Sequence, residues 1–194
     1  MTAKRFLFSV SPMIVLFGSV WVYGSVLARE SEAPIKETKS VAEIDGIANY
    51  KKWTRVNPEP QRVDAAISAL CAAPTPRVEN PHSDKFITVY VNQIGSHAMM
   101  KEKSPHFPVG SVIVKEKLTK ADSATPELLT VMVKRQAGYD ATNGDWEFMV
   151  LDGKAEKVQA SGRLVNCQGC HLQEKATDYV SRRYLPLDVR EKLK

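Results

Sequence analysis

The chain has 194 residues, 43% of them apolar and 25% charged, and its 27 Lys and Arg against 22 Asp and Glu give a formal net charge of +5. This length suits one compact domain with a leader, and the apolar content is that of a globular protein, not a disordered or fibrous one. The basic excess is mild and evenly spread, which argues against a nucleic-acid partner.

Residues 1–28 read as an export signal peptide. Lys4 and Arg5 form its basic start, residues 6–26 are apolar, and Val26-Leu27-Ala28 offers small residues before a cut. The same apolar run is long enough to stay as an uncleaved anchor. Either way the Lys4/Arg5 end stays inside, and the rest of the chain is expected in the periplasm. Residues 29–43 are polar and aperiodic, a flexible tether, and residues 44–194 form the folded domain.

Within that domain Ile44, Ile47, Ala48 and Trp53 fall at helical spacing. Val63, Ala66, Ile67 and Leu70 repeat the pattern after Pro58 and Pro60, so two short helices are predicted. Residues 74–84 carry Pro74, Pro76 and Pro81 and read as a loop. Four β-branched and aromatic runs follow, at 85–92, 111–118, 127–135 and 146–151, and each reads as a strand. Their short, turn-rich links favour an antiparallel sheet, with a short helix at 93–103 between the first two strands. After Gly162 the chain is expected to be helical as far as Pro186. The fold class is α+β: a four-stranded antiparallel core, flanking short helices and a C-terminal helical segment.

That segment contains Cys167-Gln168-Gly169-Cys170-His171. Two thiols three residues apart on one helical turn can reach both vinyl groups of a single haem, and the adjacent imidazole supplies the proximal ligand to its iron. A thioredoxin-like pair belongs in a βαβ context near the start of a domain, and a zinc site needs a second ligand pair. The only other cysteine is Cys71, whose apolar neighbours Ala69, Leu70, Ala72 and Ala73 mark a buried structural thiol. The pattern predicts one haem c, covalent through Cys167 and Cys170, with His171 as metal ligand; the export signal agrees with this.

The sixth iron position is the next question. The 23 residues after His171 contain no Met, His or Cys, so a sixth protein ligand has to come from His82, His97, His106, Met99, Met100, Met132, Met149 or a lysine upstream. Met132 and Met149 lie in strand patterns and read as core, while His82 and His106 sit beside prolines and read as exposed loop residues. The expectation is an iron open on one face, which binds small ligands such as NO. A plain electron carrier with an upstream ligand is the alternative. The strands argue against the four-helix haem bundles, which also place this motif near the C-terminus.

Five stretches then carry a family likeness: Asn49-Tyr50-Lys51-Lys52-Trp53, Thr88-Val89-Tyr90, the run from Phe107-Pro108-Val109-Gly110 into Val114-Lys115-Glu116, Gly144-Asp145-Trp146-Glu147-Phe148, and the Cys-x-x-Cys-His motif followed by Thr177-Asp178-Tyr179-Val180. Over residues 49–186 the chain resembles the cytochrome P-460 family, which includes the β-sheet cytochromes c prime. The resemblance implies a mostly β fold, usually a homodimer, with one c-type haem open on its distal face. It further implies hydroxylamine oxidation or NO binding, electrons passing to an accepting cytochrome, and a lysine joined to the porphyrin as a third covalent link. The lysine that matches is Lys115. A desolvated amine with a lowered pKa is a competent nucleophile toward an oxidised porphyrin. The other reading is a solvent-facing strand lysine sharing a face with Ile113 and Lys117, and the cytochrome c prime branch lacks the link. Two positions depart from the family pattern. Ile87 stands where some members carry a basic residue, and Gln173 stands where a carboxylate two residues after the haem histidine would serve as a base. Glu174 is next to it, turned by about 100° on a helix. Lys115 and Glu174 are the candidate catalytic residues.

Overall fold

A computed structural model describes residues 46–63 and 85–194. The signal peptide, the tether, Ile44, the loop at 74–84, Cys71 and His82 lie outside the described residues. Among the described residues no helix is long and apolar enough to cross a membrane.

The core is one antiparallel sheet of seven strands, not four. Its strands are β1 (Thr54–Arg55), β2 (Gln61–Val63), β3 (Lys85–Val91), β4 (Val112–Leu118), β5 (Leu128–Lys134), β6 (Trp146–Asp152) and β7 (Val158–Gly162). From β3 to β7 each strand pairs with the next in sequence, as short links require. β1 and β2 both lie along the free edge of β3. Val63, expected to open a helix, ends β2 instead, because its backbone pairs with Lys85. The three added strands are too short, or in β7 too rich in small and polar residues, to show a β-branched run. Of the two expected N-terminal helices, the first is a 3-10 turn at Ile47–Lys52.

Alternation along β4 sends successive side chains to opposite faces of the sheet. On one face Ile87, Val89, Val91, Ile113, Met132 and Phe148 join Trp146, Phe107, Met99, Val180 and Leu185 in one core cluster. On the other, Tyr90, Val112, Val114, Val131, Met149 and Leu151 pack with Ile47 and Tyr50. Helix α1 (Gln93–Met100) follows β3, capped by the Asn92 side chain, which accepts the Gly95 N–H at 3.1 Å.

The stretch after Gly162 is not one helix. It divides into α2 (Val165–His171), a 3-10 turn at Leu172–Thr177, and an irregular segment that leads to α3 (Leu187–Lys192). Helical geometry stops where Asp178 and Tyr179 take φ of 54° and 64°, a left-handed conformation no right-handed helix accommodates. Pro186 starts α3 and does not end its predecessor. Its fixed φ and missing N–H suit a helix start.

Candidate functional site

Helix α2 carries the whole Cys-x-x-Cys-His motif, and both of its ends are tied down. Gln168, between the two cysteines, donates from its side-chain amide to Asp140 at 2.6 Å. The Asp140 carboxylate also accepts from Thr142 and Asn143 in the loop before β6, so the helix is pinned to that loop. Cys167 packs against the first core cluster while Cys170 is exposed, and the two are not joined in a disulfide. Burial raises the Cys167 pKa. That is the opposite of a redox-active Cys-x-x-Cys, which works by stabilising its thiolate.

His171 closes the helix with its ring tilted over Phe148, centroids 5.2 Å apart. Its Nδ1 lies 2.7 Å from the Tyr179 carbonyl oxygen. A carbonyl only accepts, so Nδ1 carries the proton and Nε2 is the bare nitrogen, the tautomer a metal ligand needs. Burial lowers the ring's pKa, opposed by the Tyr179 hydrogen bond and reinforced by the nearby Lys115 cation. The ring is therefore neutral at pH 7 and available to a metal. The donor set fits a covalently held haem: two thiols on one turn beside an imidazole with a fixed tautomer. Among the described residues no group of three or more His, Cys, Asp and Glu converges as a zinc cage would require.

Lys115 lies on the face of β4 that carries Ile113, the same face that packs against Cys167 and Phe148. It pairs in register with Val89 on one side and Thr130 on the other. The residue is half-buried, and burial lowers its pKa from 10.5 to about 8, with Cys167, Arg183, Cys170 and Lys117 all close enough to act on its charge. Among the described residues it has no hydrogen-bond or ion-pair partner. A lone amine of this kind supplies far more neutral nucleophile than a surface lysine. Lys115 and the motif thus occupy one electrostatic neighbourhood.

Glu174 sits three residues beyond His171 in the 3-10 turn. Its carboxylate is 3.3 Å from the Arg183 guanidinium, and its backbone carbonyl accepts from the Tyr179 N–H at 2.8 Å. Gln173 is exposed. Of the upstream ligand candidates, His97 and His106 are exposed and tied to the Glu102 carboxylate. Met99 and Met132 are in the core cluster on the motif side, Met100 packs against that cluster, and Met149 is on the opposite face.

Sequence reasoning missed the residues that hold this geometry in place, notably Lys134 and Asp140. Lys134 ends a strand pattern like any solvated lysine, but its ammonium is buried against Asp178 at 2.7 Å. One signal was available. Gly144 has φ of 66°, and a Cβ there would come within 2.5 Å of the Tyr179 ring, so the Gly-Asp-Trp run and the Thr-Asp-Tyr-Val run meet in space.

A family model described as Cytochrome P460 matches residues 47–182. No curated protein matches the chain.

Proposed function

The chain belongs to the cytochrome P460 family of c-type haem proteins, and from that premise we propose an exported mono-haem protein whose open iron face takes hydroxylamine or NO and passes electrons to an accepting cytochrome. Cys167 and Cys170 form the two thioethers and His171 holds the iron. The observation that carries this reading is the His171 ring: half-buried and neutral, tilted over Phe148, with Nδ1 committed to the Tyr179 carbonyl and Nε2 left as the bare nitrogen. The haem supplies the iron that binds the nitrogen ligand and stores the electrons.

The remaining roles fall to the chain's own side chains. The Tyr179 carbonyl holds the proton on Nδ1 and with it the direction in which Nε2 points. Lys115, half-buried and without a partner among the described residues, would provide the amine for a third covalent link to a porphyrin edge already oxidised by two electrons, the amine and the ring each giving up a proton. Phe148 and Met132 give that side of the sheet an apolar surface that excludes water. Glu174 is the acidic candidate for proton transfer, and its pairing with Arg183 favours a second reading, NO capture without turnover. A periplasmic location and a homodimer belong to the same proposal; the leader-like residues 1–28 support the first and the family likeness the second.

The absorption spectrum of the reduced protein, with and without CO or NO, tests the open face. Bands that move on ligand addition are expected; six-coordinate bands that ignore both ligands would leave only an electron carrier. Turnover of hydroxylamine with an artificial electron acceptor then separates the two remaining readings.

A further inference from the structure

Two consecutive non-glycine residues, Asp178 and Tyr179, hold positive φ directly after the turn that follows His171. Such a conformation is strained for a residue with a side chain and persists only where the surroundings over-determine it. Here they do. Both Asp178 carboxylate oxygens lie 2.7 Å from the Lys134 ammonium, and Oδ2 also accepts the Phe107 backbone N–H at 2.8 Å. The Asp178 carbonyl accepts the Trp146 indole N–H at 2.8 Å, and Lys134 lies over the same indole, 5.0 Å from its ring. The side chains of the ion pair are only 8% and 7% exposed, so neither charge is satisfied by water. Three separate parts of the fold converge on one residue of the loop: the end of β5, the start of β6 and the approach to β4.

The result of this anchoring is the orientation of the next carbonyl. Tyr179 O, one peptide beyond Asp178, meets His171 Nδ1 at 2.7 Å. We propose that Lys134 and Asp178 are a positioning pair for the proximal histidine: their buried ion pair holds the Asp178–Tyr179 backbone left-handed, and so sets the strength of the hydrogen bond on Nδ1. This rests on His171 being the iron ligand. A stronger bond to Nδ1 makes the imidazole a stronger donor through Nε2, and loosening it weakens that donation. Neither side chain of the pair hydrogen-bonds the His171 ring, whose partner is the Tyr179 carbonyl, so the proposed influence runs through that carbonyl.

The test uses the haem-loaded protein and reads the iron–histidine stretching band by resonance Raman, the reduction potential, and the coordination number of the ferrous NO adduct. Asp178→Asn combined with Lys134→Met removes both charges together, avoiding the stranded buried ion of a single change. In this double variant the iron–histidine band is expected to fall in frequency and the potential to rise. The ratio of five- to six-coordinate NO adduct should rise about tenfold, the low end of what losing an outer partner costs. Trp146→Phe, which deletes the N–H to the Asp178 carbonyl together with part of the ring beneath Lys134, covers the case where the double variant does not fold, and should move all three readouts the same way by less. Leu151→Ala, on the opposite sheet face, destabilises without touching the loop and should leave the band in place. A folded double variant, or failing that a folded Trp146→Phe, with wild-type band and potential overturns the pair's role. A wild-type protein with no iron–histidine band overturns instead the haem assignment on which it rests.

Discussion

Lys115 and Glu116 are neighbours in one strand, and the pleat sends them to opposite faces of the sheet. Glu116 is 5% exposed and fully engaged: the Tyr50 hydroxyl donates to it at 2.6 Å and Lys51 approaches to 3.9 Å. Burial and this carboxylate together push the Tyr50 hydroxyl's pKa well above its ordinary value, so it stays a donor. Lys115 is shielded too, yet among the described residues it has no partner, and it bears the cost as a pKa lowered to about 8. A buried polar group that is satisfied belongs to the architecture. A half-buried amine with no such partner among the described residues, close enough to Cys167 and Cys170 to feel their charge, is the feature on which the proposed reactive face rests.

The contrast predicts opposite responses to mutation. Glu116→Ala strands the Tyr50 hydroxyl in the second core cluster, and the loss should be about 2 kcal/mol or more, read from the denaturant midpoint. A midpoint unchanged by the substitution would mean that water already serves that pair. Lys115→Met deletes an amine that has no partner among the described residues and keeps the stem's volume, so near pH 7 the haem-free variant should be no less stable than wild type. The same substitution should convert a three-link haem to a two-link one, seen by digesting the holoprotein and weighing the haem peptide. If the wild-type Lys115 peptide already runs free of haem, the third link does not exist.

The asymmetry between the two residues was only partly legible in the sequence. All four long strands were visible, each within one residue of its observed ends, because alternation and β-branching are local signals. The motif at 167–171 was likewise complete in five letters. The bend after it was not. Nothing local to Thr177-Asp178-Tyr179 reveals that a lysine 44 positions earlier neutralises Asp178 or that an indole N–H caps its carbonyl. A helical pattern was therefore extended through residues that tertiary contacts force left-handed. Lys115 was ambiguous for a related reason: alternation gives its face but not what covers that face. Only the packing of Cys167 on the Ile113 side decides which side is the sheltered one.

The contrast also predicts a pH dependence of the haem-free protein. Lys115 titrates at about 8 when folded against an ordinary value of 10.5. Below about pH 8 the amine is protonated in both states and the full cost of burying it is present. Between about pH 8 and 10.5 the unfolded chain binds more protons than the folded one, so stability rises with pH. Above 10.5 the contribution is constant, because both forms are neutral. The predicted signature is the difference between wild type and Lys115→Met: stability curves that converge or cross as pH rises through this window, with wild type gaining on the variant. Parallel curves would show that solvent reaches the amine well enough to keep its ordinary pKa, and Lys115 would then belong with the surface lysines of the strand. The same curves for Glu116→Ala should run parallel to wild type between about pH 8 and 9; nearer pH 10 the unfolded Tyr50 loses its proton while the folded one keeps it, and there wild type loses stability relative to the variant. A slope confined in that lower range to one of two adjacent residues would show that the two faces of β4 differ in solvation and not merely in the charge they carry.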